Sequence, residues 1–238
     1  MKAILALTAA LAMALSPLTI QGFNGFRPDQ FPIPQIDPPA QPAGYAFSIW
    51  LVIYLWLILG TGFGLLNRHS DAEWDRARWP LIVSLVLGAA WIPVAQLSPF
   101  WATVMIWVML IAALRAMVTA GTRDRLWQRT PIALYAGWLT AASCVALALM
   151  LAGHGILGGT AAAVLALLLA LGLAGVMQLR RPDSPEYAGA VIWALIGVAV
   201  SNASPLNATV LGLSLVGILL LGWIALRCTL GRPRSVSP

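Results

Sequence analysis

Long apolar runs, separated by short polar or proline-bearing joints, set the rhythm of this chain. They fall at about 3–20, 44–66, 80–98, 100–119, 131–151, 155–178, 187–201 and 206–229. At about 1.5 Å of rise per residue, most of these runs form helices able to cross a hydrocarbon core roughly 30 Å thick. The run at 187–201 is short for that task and is expected to begin or end beyond those limits. Pro80, Pro131 and Pro205 are expected near helix starts, where a missing N–H costs little. Pro93 lies within its run and is expected to kink the helix. The pattern predicts an all-α integral membrane protein, a bundle of 7–8 transmembrane helices. The count turns on residues 1–20, which read as a first helix or as a signal peptide. Lys2, the Ala/Leu-rich run and Ala12-Met13-Ala14 suit a secretory signal, whereas Pro17 and the lack of a polar break favour a retained helix.

Composition strengthens the membrane reading. The chain of 238 residues is 60% hydrophobic and only 9% charged, more apolar surface than a soluble domain of this size hides. Its net charge of +6 is carried in short loops, not in a patch, which excludes a nucleic-acid partner and makes the lipid bilayer the main one. Of the 14 basic residues, only Arg27 falls in an odd-numbered loop. The others cluster around 68–78, 115–129, 180–181 and 227–234, or stand at Lys2. This asymmetry predicts a multi-pass protein of the cell inner (plasma) membrane with a cytoplasmic carboxyl terminus. Residues 21–43, 97–101, 152–155 and 201–206 are then outside.

Little else in the segments carries chemistry. The acidic residues Asp29, Asp37, Asp71, Glu73, Asp75, Asp124, Asp183 and Glu186 all read as loop positions, and His69 and His154 as segment ends. Ion-coupled transport needs ionisable groups at membrane depth, so it is disfavoured. No HExxH, GxSxG or paired-carboxylate motif occurs, and Cys144 and Cys228 form no metal motif. Enzyme activity would therefore need chemistry supplied by a ligand. Gly60 and Gly64 have helix-packing spacing, which fits a close helix approach and leaves a homodimer open.

The aromatic residues are the exception. Tyr45, Phe47, Trp50, Tyr54 and Trp56 crowd the first turns of the second segment, behind a proline-rich approach. Such a cluster is either an interfacial belt or the wall of a pocket for a flat apolar ligand. Trp50 and Tyr54, four apart, share a helix face, and so do Tyr135 and Trp138, three apart. Trp74, Trp79, Trp101 and Trp127 stand at segment ends and read as belt anchors, while Trp56, Trp107, Trp193 and Trp223 suit either lipid contact or packing. The loop at 21–43 sets Phe23, Phe26 and Phe31 among Pro28, Pro32, Pro34 and Pro38. Stiffened by proline and apolar beneath, it reads as a lid over the bundle mouth or as a loop resting on the surface. A sterol-type pattern, Arg129-x5-Tyr135-x3-Leu139, also occurs, though such patterns arise often by chance.

These motifs resemble the TspO/MBR family, the tryptophan-rich sensory or translocator proteins. The resemblance rests on the proline-rich loop followed by Phe47, Trp50 and Tyr54, on Trp91-Ile92-Pro93, and on Tyr135-Ala136-Gly137-Trp138 with Ala142. Gly88 and Ala146 stand where the family has asparagine. The likeness covers about residues 1–151, a TspO-like five-helix region made of a first helix or signal peptide (1–20), the loop 21–43 and four further helices. Residues 152–238 then form a three-helix extension with a short basic cytoplasmic tail, and Tyr187-Ala188 and Trp193 to Gly197 resemble a longer branch of the group. The resemblance implies a pocket among the first five helices for a hydrophobic small molecule, such as a tetrapyrrole or sterol-like lipid. Its residues would be Tyr45, Phe47, Trp50, Tyr54, Trp91, Pro93, Tyr135, Trp138 and Ala142. A tetrapyrrole ligand is the one cofactor it admits, and neither a catalytic residue nor a metal ligand is implied. Family activities include binding, transport, sensing as a receptor, and light-dependent porphyrin breakdown. A small-molecule facilitator or channel, or a structural subunit without ligand, are the alternatives.

Overall fold

The computed structural model describes residues 1–19 and 25–230. Phe23 and the basic residues Arg232 and Arg234 lie outside them. Eight helices follow in order among the described residues: α1 (Lys2–Leu15), α2 (Ile49–Asn67), α3 (Ala72–Leu97), α4 (Pro99–Thr119), α5 (Arg129–Gly153), α6 (Gly159–Arg180), α7 (Pro185–Ser201) and α8 (Ala208–Leu230). All except α1 and α7 are long and apolar enough to cross a membrane. The protein is an all-α, multi-pass membrane bundle.

Its interior is built from small residues. In lipid, helices gain nothing by hiding apolar surface from water, so association depends on close packing. Ala3, Ala6, Ala9 and Ala10 bury the inner stripe of α1, and α5 buries most of the residues along its length. Helix α5 stands at the centre, against α4, α6 and α7, and touches α2. Helix α3 lies between α1 and α4, while α8 closes the outside of α6 and α7. Gly60 and Gly64 do serve a close approach, but within the chain: Gly60 meets the Trp127 backbone and Gly64 meets the Trp74 ring.

Helix α3 starts eight residues before its apolar run, which places Pro80 in its interior instead of near its start. The Asp71 side chain caps it by accepting from the amides of Glu73 (2.9 Å) and Trp74 (3.1 Å). Glu73 and Asp75 then lie in the first helical turn, and Glu186 occupies the same position in α7, so these three are not loop residues. Acidic groups there face the positive end of the helix dipole. Trp74, expected at the belt, is only 3% exposed. Its indole donates to Asp124 (3.1 Å), and its ring contacts Phe63.

The arginines that marked topology also tie one end of the bundle together. Arg68 donates to Asp124 (2.7 Å) and Arg123 to Asp71 (3.2 Å), and Arg129 pairs with Asp183. Arg181 donates to the carbonyls of Val118 (2.8 Å) and Ala120 (3.0 Å). Lys2 pairs with Asp75, fixing the start of α1 to α3 at this basic end. In the sterol-type pattern, Arg129, Tyr135 and Leu139 are all buried, so it faces no lipid.

Candidate ligand-binding site

At the opposite end, the proline-rich segment folds inward. The side-chain amide of Gln30 donates to the carbonyls of Ala95 and Gln96 (both 2.9 Å), at the last turn of α3. Phe31 is buried against Gly153 and meets the His154 ring edge-on. His154 is the capping residue of α5, its Nδ1 donating to the Met150 carbonyl (2.9 Å). Phe26 reaches the Trp91 ring, with centroids 6.1 Å apart. The later half of the segment is fastened to α7. Asn202 donates to the Pro39 carbonyl (2.8 Å), Ser201 to Gln41 (2.9 Å), and the Ala43 amide to Gly197 (3.0 Å). Trp193 donates to the Ala46 carbonyl (2.8 Å), which places it in packing, not in lipid contact alone.

Beneath this cover lies a cavity of about 410 Å³. That is toward the lower part of the roughly 300–1,000 Å³ typical of small-molecule sites. Trp50 and Tyr54 stack on each other along one face of α2, 5.1 Å apart with planes at 19°. Trp138 stands edge-on to Trp50 (6.1 Å, 83°) and to Phe47 (5.9 Å, 82°). Helix spacing explains the pairing: Trp50 and Tyr54 are one turn apart, and α5 presents Trp138, Ala142, Val145 and Leu149 as a stripe.

Of the nine residues singled out from the sequence, Phe47, Trp50, Tyr54, Trp91, Trp138 and Ala142 line this cavity. The other three stand apart from it. Tyr45 is 45% exposed and meets Trp193 edge-on. Pro93 faces outward from α3. Tyr135 is fully buried behind Trp50, its hydroxyl 2.9 Å from that of Ser84, which donates on to the Met109 carbonyl (2.8 Å).

Sequence reasoning missed two parts of the wall. Met13 of α1 packs against Gly88, where a Cβ would lie 2.8 Å from its sulfur. The thioether thus takes the room that a larger residue at 88 would need. The second part comes from α6 and α7. Ala163, Ala166 and Ala170, on one face of α6, join Val191, Ala194 and Val198 of α7. The alanine spacing of three and four was visible in the sequence, but alanine is so common in membrane helices that it singled out nothing. Around α5, the lining residues from Leu139 to Cys144 sweep about 220° at roughly 100° per residue. The cavity therefore curls past α5 toward the last helices.

The wall is uncharged and mostly apolar, with Gln41 and Tyr54 among its few polar side chains. No Asp, Glu, Lys, Arg or His lines it among the described residues, and no cluster there offers a metal site. Trp91 turns its indole N–H away to the Ala102 carbonyl (2.8 Å). Trp138 is only 2% exposed, and its indole N–H has no hydrogen-bond acceptor among the described residues.

Neither a curated protein nor a solved structure matches the chain. The sequence model of one family, described as TSPO-like protein, matches residues 5–226, and so spans α6 and α7 together with the helices that carry the aromatic motifs. With that match across nearly its whole length, this chain belongs to the TSPO-like protein family.

Proposed function

We propose that this membrane protein binds a flat, hydrophobic small molecule in the cavity beneath the proline-rich cover. The observation that carries the reading is the aromatic wall: stacked Trp50 and Tyr54, with Trp138 and Phe47 edge-on beside them, around about 410 Å³ of apolar space. Rigid rings offer stacking area at small entropic cost, and the greasy lining suits a ligand that partitions from lipid. A tetrapyrrole or a sterol-like lipid has this shape. Binding is the step proposed; transport or sensing would begin with it. On the asymmetry of basic residues, the cover faces outward from the plasma membrane and the arginine-rich end faces the cytoplasm.

Fluorescence tests the reading, because bound porphyrin quenches nearby indoles and a sterol or steroid at the same site displaces it. The expected result is saturable quenching by a porphyrin or its ester, weakened in Trp50→Leu, Trp91→Leu and Trp138→Leu combined. Quenching left unchanged by all three substitutions would remove the pocket. The folding of the triple variant is checked by its helical circular dichroism.

A further inference from the structure

We infer that the occupant is uncharged and carries an oxygen that accepts a hydrogen bond from Trp138. The inference rests on the ligand-binding reading above and narrows its ligand class.

Two observations meet at one place. The first is an unsatisfied donor: Trp138 is one of the lining residues, and its indole N–H is buried with no acceptor among the described residues. Buried polar groups nearly always find a partner, and one left without pays a desolvation penalty. Its ring neighbours, Phe47 and Trp50, supply no carbonyl or carboxylate through their side chains. Other buried polar groups nearby are already engaged: Trp91 on Ala102, Tyr135 with Ser84, and Tyr187 with Thr140. Trp138 is thus a buried donor left for an occupant, while Gln41, Trp50 and Tyr54 carry other polar side-chain groups of the lining.

The second observation is the absence of charge from the wall. A carboxylate buried without a cation is strongly disfavoured. Arg27, the basic residue of the cover, is exposed and paired with Asp29 (3.3 Å). Residues at the two asparagine positions of the resemblance, Gly88 and Ala146, add no polar group either, though both line the cavity. A ketone, ester or ether oxygen on an apolar body fits this arrangement. A dianionic porphyrin has its shape but would leave two carboxylates without partners. The body of the ligand then lies along α5, toward the alanine face of α6.

The test uses the full-length protein in lipid nanodiscs and a matched pair of probes, protoporphyrin IX and its dimethyl ester. The ring is the same in both; only the charge differs. Progesterone, an uncharged steroid ketone, serves as competitor. The expected result is that the ester binds at least tenfold more tightly than the free acid, with both affinities corrected for partitioning into empty nanodiscs. Progesterone displaces the ester, and Trp138→Phe, which keeps a ring but removes the N–H, weakens progesterone roughly tenfold, or about 1.4 kcal/mol. Free acid binding as tightly as ester overturns the inference, and that comparison needs no variant. So does progesterone affinity unchanged in a folded Trp138→Phe protein. In both of those outcomes a ligand still binds, so the broader reading survives. Failure of all three probes to bind saturably would overturn both.

Discussion

At the scale of single residues, the pair Met13 and Gly88 shows how the cavity was given its shape. Gly88 has no side chain, and the Met13 sulfur lies where a Cβ would be crowded at 2.8 Å. Enlarging position 88 forces the thioether aside, and because this is the far end of a flexible side chain the cost falls toward the low end of the about 1–3 kcal/mol typical of overpacking. Gly88→Asn is therefore expected to lower thermal stability in detergent, and adding Met13→Ala is expected to recover most of the loss. A double-mutant cycle reads the coupling directly, and simple additivity would show that the two residues do not contend for one space. No reading of the sequence could find this pair, because the residues are 75 positions apart and each looks ordinary. Trp50 and Tyr54 were legible for the opposite reason: a spacing of four is a local signal, and the helix makes them neighbours. Trp74 misled because position in a segment does not reveal Asp124, the distant partner that draws the indole inward.

At the scale of elements, the loops at the basic end are structural devices as well as topology signals. Asp124 accepts from Arg68 and Trp74, joining the loop before α5 to the ends of α2 and α3. The Arg68 hydrogen bond is the main cause holding its carboxyl below the usual range. Asp71 is also depressed, chiefly by the Trp74 backbone amide. A carboxyl with a depressed folded pKa stabilises the fold above its unfolded value, near pH 4, and that contribution is lost as pH falls through the folded value. The thermal midpoint of the wild type is therefore expected to drop below about pH 4 more steeply than that of Asp124→Asn. Parallel curves would mean that Asp124 does not hold these elements together. Most helix bounds lie within a few residues of the apolar runs, but α1 stops at Leu15, α2 begins only at Ile49, and α3 starts well before its run. Its first turns are charged, and the cue was the Asp71 cap ahead of Glu73 and Asp75 rather than any apolar residue.

At the scale of the whole molecule, one helix carries both the fold and the candidate site. The eight apolar runs made the bundle readable from the chain, yet they could not show which helix stands in the middle. Hydropathy reports that a segment is apolar; it does not distinguish a lipid partner from a helix partner. The centre is α5, and its joint with α7 depends on Gly137, where a Cβ would collide with the Tyr187 carbonyl and lie 2.9 Å from Ala190. Three residues further on, Thr140 and Tyr187 share a hydrogen bond of 2.9 Å, which sets the depth of the two helices relative to each other. Since α7 also holds the cover through Gly197, Ser201 and Asn202, a shift at this joint moves the roof of the cavity as well as its wall. Gly137→Leu is expected to destabilise the protein by at least ~1–3 kcal/mol and to weaken probe binding, although residue 137 does not line the cavity. Gly172→Leu is the control, since α6 has open space at that position. Without a collision, it is expected to change stability little or to raise it by the helix preference of leucine over glycine, about 1 kcal/mol or less. Thermal unfolding and porphyrin-ester titration of the two variants, side by side in nanodiscs, check the argument. If Gly137→Leu proves as harmless as Gly172→Leu, α5 and α7 do not meet at this glycine, and the cover is not held through their joint.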